Sequence, residues 1–132
     1  MSLFVDASAL VSIVRSEADA ASLLAKLQDA KERLTSGLAV WETVRAVAKG
    51  SHDDVTAAFD EVEQFRTALD IAVVPIGAAE TAEAVRAHAR FGKGTGHPAR
   101  LNMGDCFAYA CAKTNNARLL YKGGDFAHTD LA

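Results

Sequence analysis

The chain has 132 residues, half of them apolar and 23% charged. That supplies a hydrophobic core and excludes a disordered chain, and no apolar run approaches the ~18 residues of a bilayer span. A net charge of −3 excludes general attraction to nucleic acid, so RNA or DNA binding would need a local basic patch or bound metal.

In chain order, Leu3-Phe4-Val5 predicts a short buried strand that ends at Asp6. Residues 7–15 follow as a helix. A second helix covers 18–30, with Ala20, Leu23, Leu24 and Leu27 at helical spacing. Residues 33–35 form a brief strand. Ser36-Gly37 breaks the pattern ahead of a helix over 38–49. Ser51-His52-Asp53-Asp54 caps a long helix over 53–68, whose apolar stripe is Val55, Phe59, Val62, Phe65 and Leu69. Ile71 to Ile76 is a strand, and Pro75 marks its end or a sheet edge. Residues 78–90 form an alanine-rich helix, and Gly92 to Pro98 is a flexible loop. A helix over 104–115 precedes a last inner strand, Arg118 to Tyr121, which Gly123-Gly124 turns out of. Alternation of strands with helices predicts an α/β fold: a three-layer α/β/α sandwich with a central parallel sheet, in one domain over 1–132.

Cys106 and Cys111 fall in one predicted helix. Their Cα atoms would lie about 8 Å apart, beyond disulfide reach, and the spacing suits no zinc site. Reduced cysteines and the lack of a signal-peptide pattern lead to an expected cytoplasmic location.

The chemistry lies in the acids. Parallel α/β sheets gather functional groups beyond the carboxyl ends of their strands. Asp6 stands at such an end, Asp125 follows the last strand by a short turn, and Asp105 opens a helix that is apolar nearly all round. Each has a simpler reading, as helix cap or turn residue. Glu42 lies almost opposite the stripe Val40, Val44 and Val47 on a helical wheel, which reads as a solvated face. Clustered carboxylates raise one another's pKa and favour a bound cation. Hard oxygen donors select Mg²⁺ or Mn²⁺, which would activate water and polarise a phosphoryl oxygen.

Four segments carry a resemblance: Phe4-Val5-Asp6-Ala7-Ser8-Ala9-Leu10, Trp41-Glu42, Leu101 to Ala110 around Gly104-Asp105, and Leu120 to Phe126 around Gly123-Gly124-Asp125. In order and spacing the chain resembles PIN-domain ribonucleases of the VapC toxin type, over nearly its whole length. The resemblance implies Mg²⁺- or Mn²⁺-dependent endonucleolytic cleavage of RNA. It places the family acids on Asp6, Glu42, Asp105 and Asp125, with Asp130 as a substitute or neighbour of the fourth. Ser8 matches the hydroxyl that supports the first aspartate. Gly124 departs from the polar residue often found there, which removes one side chain able to orient Asp125. The resemblance also implies a VapB-type antitoxin partner and a homodimer. Leu23, Leu27, Val55 and Phe59 are candidates for the antitoxin contact.

The basic residues Lys93, His97 and Arg100 around the glycine-rich loop form a small candidate RNA-backbone patch. The loop fails the phosphate-binding template, because its lysine precedes the last glycines and no helix opens on Lys-Ser/Thr. A phosphotransferase with Asp6 as nucleophile would call for a second aspartate at position 8, which is serine. The remaining alternative is a binding module with this fold and no turnover.

Overall fold

Strand β1 (Ser2–Val5) places alternate residues in two separate cores. Leu3 and Val5 enter one, and Phe4 enters the other. A strand buried on both faces is the middle layer of a sandwich. The computed structural model describes residues 1–132, with no helix long and apolar enough to cross a membrane. After β1 come α1 (Ala7–Val14), α2 (Ala20–Asp29), β2 (Glu32–Ser36), α3 (Gly37–Lys49), α4 (Val55–Ala68), β3 (Ala72–Val74), α5 (Ala78–Phe91), α6 (Met103–Thr114) and β4 (Arg118–Leu120).

The sheet is four-stranded and wholly parallel, in the order β3-β2-β1-β4. Phe4 pairs with Leu34 on one side and Leu119 on the other. Helices α1 to α4 supply the first core, through residues such as Leu10, Leu27, Val44 and Val62. Helices α5 and α6 supply the second, through Ala87, Phe91, Tyr109 and Cys111. Both cysteines are free and buried. Every buried side-chain polar atom has a partner. Thr35, for example, donates to the Val5 carbonyl at 3.0 Å across the sheet.

Four expectations need correction. The segment 118–121, expected as an inner strand, is the edge strand β4, which ends at Leu120 and pairs with β1. The strand over 71–76 shrinks to Ala72–Val74 at the sheet edge; Ile71 is buried instead as an end contact, its carbonyl accepting from Arg66 Nη1 at 2.8 Å. The helix over 53–68 begins at Val55, because Asp54 Oδ1 accepts from Ala57 N at 3.0 Å and so caps it. Leu23 and Leu27 are core residues, closed off by packing against α1 and the sheet, and are absent from the surface. Val55 and Phe59, read both as apolar stripe and as contact candidates, are exposed.

Candidate active site

The carboxyl ends of the parallel strands share one edge of the sheet. Asp6 is the first residue beyond β1, and its N–H donates to the Leu120 carbonyl of β4 at 2.9 Å. Its extended backbone makes it the N-cap of α1. Asp6 Oδ2 accepts from Ser8 N at 3.0 Å and from the Ser8 hydroxyl at 2.6 Å. Burial raises its pKa, the Ser8 and Ala7 donors hold it down in part, and Asp125 raises it further.

Ser8 Oγ also accepts from the Lys122 amide at 3.0 Å. One hydroxyl therefore ties the turn after β1 to the turn after β4, which carries Asp125. Ser8→Ala is expected to cost about 1–2 kcal/mol in chemical denaturation. The RNA cleavage that the sequence resemblance implies should fall roughly tenfold, because Asp6 loses its orienting donor. Wild-type values of both would remove Ser8 from the site.

Asp105 sits in the first turn of α6 and shares a reciprocal cap with Asn102. Asn102 Oδ1 accepts from Asp105 N at 2.9 Å, and Asp105 Oδ2 accepts from Asn102 N at 3.1 Å. Asn-x-x-Asp ahead of an apolar run is a legible capping pattern, and it starts the helix at Met103, one residue earlier than expected. Burial lifts the Asp105 carboxyl to about 6; Asn102 opposes this, and Asp125 and Asp6 add to it.

Glu42, on α3, is half-buried. Its carboxylate lies over the bare α-carbon of Gly104 at the start of α6. Burial raises its pKa to about 7, with repulsion from Asp6 and Asp105 contributing. Asp125 is exposed on the turn after β4, and its charge reaches both Asp6 and Asp105. A side chain at Gly124 would meet open space.

Asp130 lies elsewhere. It accepts from Tyr109 Oη at 2.6 Å and pairs with Lys113, about one and two helical turns beyond Asp105. In the loop, Lys93 and Arg100 are exposed and form no ion pair. His97 packs edge-on against Phe91 at 5.0 Å between ring centroids, and its Nδ1 accepts from Ala99 N at 3.1 Å. Lys93 lines a cavity of about 470 Å³ with Asn102 and Met103, so the loop adjoins the α6 N-terminus.

The helix-cap and cluster readings hold together. Asp6 and Asp105 are local caps, and both also belong to a group of four electrostatically coupled acids. None of the four is paired with a lysine or arginine; the ion pairs of the chain involve Glu63, Glu83, Asp130, Glu17 and Asp19. The coupling acts at a distance: no three His, Cys, Asp or Glu side chains converge closely enough to hold a metal ion. The donor set itself is all carboxylate, the hard-oxygen chemistry of Mg²⁺ and Mn²⁺.

The PIN domain family model matches residues 3–131. The chain belongs to the PIN-domain family. Within that family it is 41% identical to a VapC ribonuclease of Rhizobium meliloti, over 97% of this chain and 98% of the relative. It is 36% identical to ribonuclease VapC28 of Mycobacterium tuberculosis, over 98% and 95% of the two chains. The fold is similar to that of VapC20 from Mycobacterium tuberculosis, a toxin that cleaves the sarcin–ricin loop. That likeness has a TM-score of 0.73 at 18% identity and covers 95% of this PIN domain and 92% of the other chain.

The exposed face of this PIN domain next to Glu42 is apolar. Trp41 is 58% exposed. With Val44, Val55, Phe59 and Val73 it lines a cavity of about 580 Å³ between α3, α4 and the edge strand.

Proposed function

We propose that the protein is a divalent-metal-dependent endoribonuclease, the toxin of a VapBC-type pair, with its site on Asp6, Glu42, Asp105 and Asp125. The observation that carries this reading is charge imbalance. Four coupled carboxylates, two of them with pKa values lifted to about 6 and 7, have no cationic side chain to offset them. Such a set favours a bound Mg²⁺ or Mn²⁺. The ion, when bound, supplies Lewis-acid polarisation of the phosphodiester and a nucleophilic water at neutral pH.

The chain's own groups do the rest. Asp6, held by Ser8, and Asp105, held by Asn102, present fixed oxygens from two different helix N-termini. Asp125 brings an exposed carboxylate to the open side. Lys93 and Arg100, on the loop that leads into α6, attract the RNA backbone toward a site that would otherwise repel it. The VapC relatives imply a VapB-type antitoxin, and the apolar face with Val55 and Phe59, adjoining Glu42 through Trp41, is the surface we assign to it. A homodimer is the assembly proposed for the free toxin. The retained acids disfavour an inactive binding module.

The test is cleavage of a panel of structured RNAs by antitoxin-free protein. Cutting with Mg²⁺ or Mn²⁺ that EDTA abolishes is the expected result. Equal cutting in EDTA would reject the metal, and no cutting of any RNA by folded protein would favour the binding module.

A further inference from the structure

Gly104 is the second residue of α6, and the Glu42 side chain occupies the space where a Cβ would stand. That Cβ would lie 2.2 Å from Glu42 Oε2 and 2.7 Å from Oε1 and Cδ, far inside van der Waals contact. The backbone does not call for glycine here: the positive-φ glycines are Gly94, Gly96 and Gly123, and Gly104 is helical. Within a helix, alanine is preferred to glycine. The sequence therefore carries a residue that is poor for the helix at the one point where α3 delivers a carboxylate.

We propose that Gly104 is a positioning residue, whose missing side chain forms the seat that holds the Glu42 carboxylate against the start of α6, within electrostatic reach of Asp6 and Asp105. Glu42 needs such a seat. Asp6 and Asp105 repel it, and a flexible glutamate free to turn would swing to solvent. Contact with Gly104 places it instead against the first turn of α6, whose positive dipole end offsets part of the repulsion. Asp105 follows directly in the chain, so one helical turn sets the spacing between two of the acids.

The proposal rests on Glu42 belonging to the metal-ligating set. Its test compares Gly104→Ala, Glu42→Gln, Glu42→Asp and the double variant Gly104→Ala/Glu42→Asp. The readouts are Mn²⁺ affinity by calorimetry without RNA, the metal-free thermal midpoint, and RNA cleavage. Gly104→Ala should fold with an equal or higher midpoint, because the atoms in the way end a flexible side chain that can swing aside. Mn²⁺ should bind roughly ten- to a hundredfold more weakly, with a parallel loss of cleavage. The double variant should regain affinity over Gly104→Ala, since a side chain one methylene shorter clears the new methyl group, whereas Glu42→Asp alone should weaken binding.

Wild-type Mn²⁺ affinity and cleavage in Gly104→Ala, with Glu42→Gln inactive, would overturn the positioning role and leave the acidic site standing. Wild-type behaviour of Glu42→Gln would overturn the site assignment and this proposal together. A lower midpoint in Gly104→Ala, with losses that Glu42→Asp does not recover, would make Gly104 a packing residue and also overturn it.

Discussion

Asp6→Asn and Asp105→Asn should each lower metal-dependent RNA cleavage by roughly 10³-fold while leaving the fold intact. The substitutions separate the capping role of these residues from the metal-ligand role proposed for them. Asparagine caps helices as well as aspartate does, and its oxygen can still accept from Ser8 N at position 6 or from Asn102 N at position 105. It cannot supply an anionic ligand. Capping therefore survives and metal binding does not. Single-turnover cleavage and thermal melting, measured on the same preparations, read the two roles apart. Full cleavage by both variants would dismiss these residues as the site; a collapsed fold in both would show that capping had been underestimated.

The metal-free protein should be most stable near pH 5 and lose stability toward pH 8. Glu42 is raised from its ordinary 4.5 to about 7, and Asp105 from 3.8 to about 6. A carboxyl with a raised folded-state pKa holds its proton longer in the folded chain. Its contribution is complete below the unfolded pKa and is lost as pH rises through the folded value. The window runs from about pH 4 to about pH 7. The loss should total about 2 kcal/mol once water screening at a half-open cleft is allowed for. Glu63, Glu80, Asp19 and Asp130 have lowered pKa values, so they act in the opposite sense and below this window. Saturating Mg²⁺ or Mn²⁺ should restore stability at pH 8, because the ion binds the folded, ionised site. Denaturation midpoints at pH 5 and 8, with and without ion, decide this. A flat profile, or equal stabilisation by Na⁺ at matched ionic strength, would count against a specific site.

Much of this fold is legible from periodicity. The stripe along α4 and the apolar residues of α2 repeat at helical spacing, and both helices form within a few residues of the expected bounds. Strand β1 is legible because Leu3, Phe4 and Val5 are apolar toward both faces. Ends are less so, because caps depend on individual side-chain contacts: Asn102 and Asp105 start α6 as a reciprocal pair, and of the expected cap Ser51 to Asp54 it is Asp54 that closes the start of α4. Glu42 shows what a helical wheel leaves out. The wheel compares one helix with one core, and Val40, Val44 and Val47 do face that core. Helix α3 has a second neighbour in α6, and Glu42 turns toward it. The role proposed for Gly104 is hidden from the sequence for the same reason, since it exists only where two helices distant in sequence meet. Asp130 stands close to Asp125 in sequence, but its bonds to Tyr109 and Lys113 hold it along the flank of α6.

In the sheet the inner strand β1, at residues 2–5, pairs with the edge strand β4, at residues 118–120. Asp6 is thus made long before Leu120, which accepts its N–H, and before Lys122, which reaches Ser8. Contacts this distant in sequence form late. A nascent chain made only as far as α5 therefore carries its first acid but no assembled cleft, and the proposed site can close only once β4 has been synthesised.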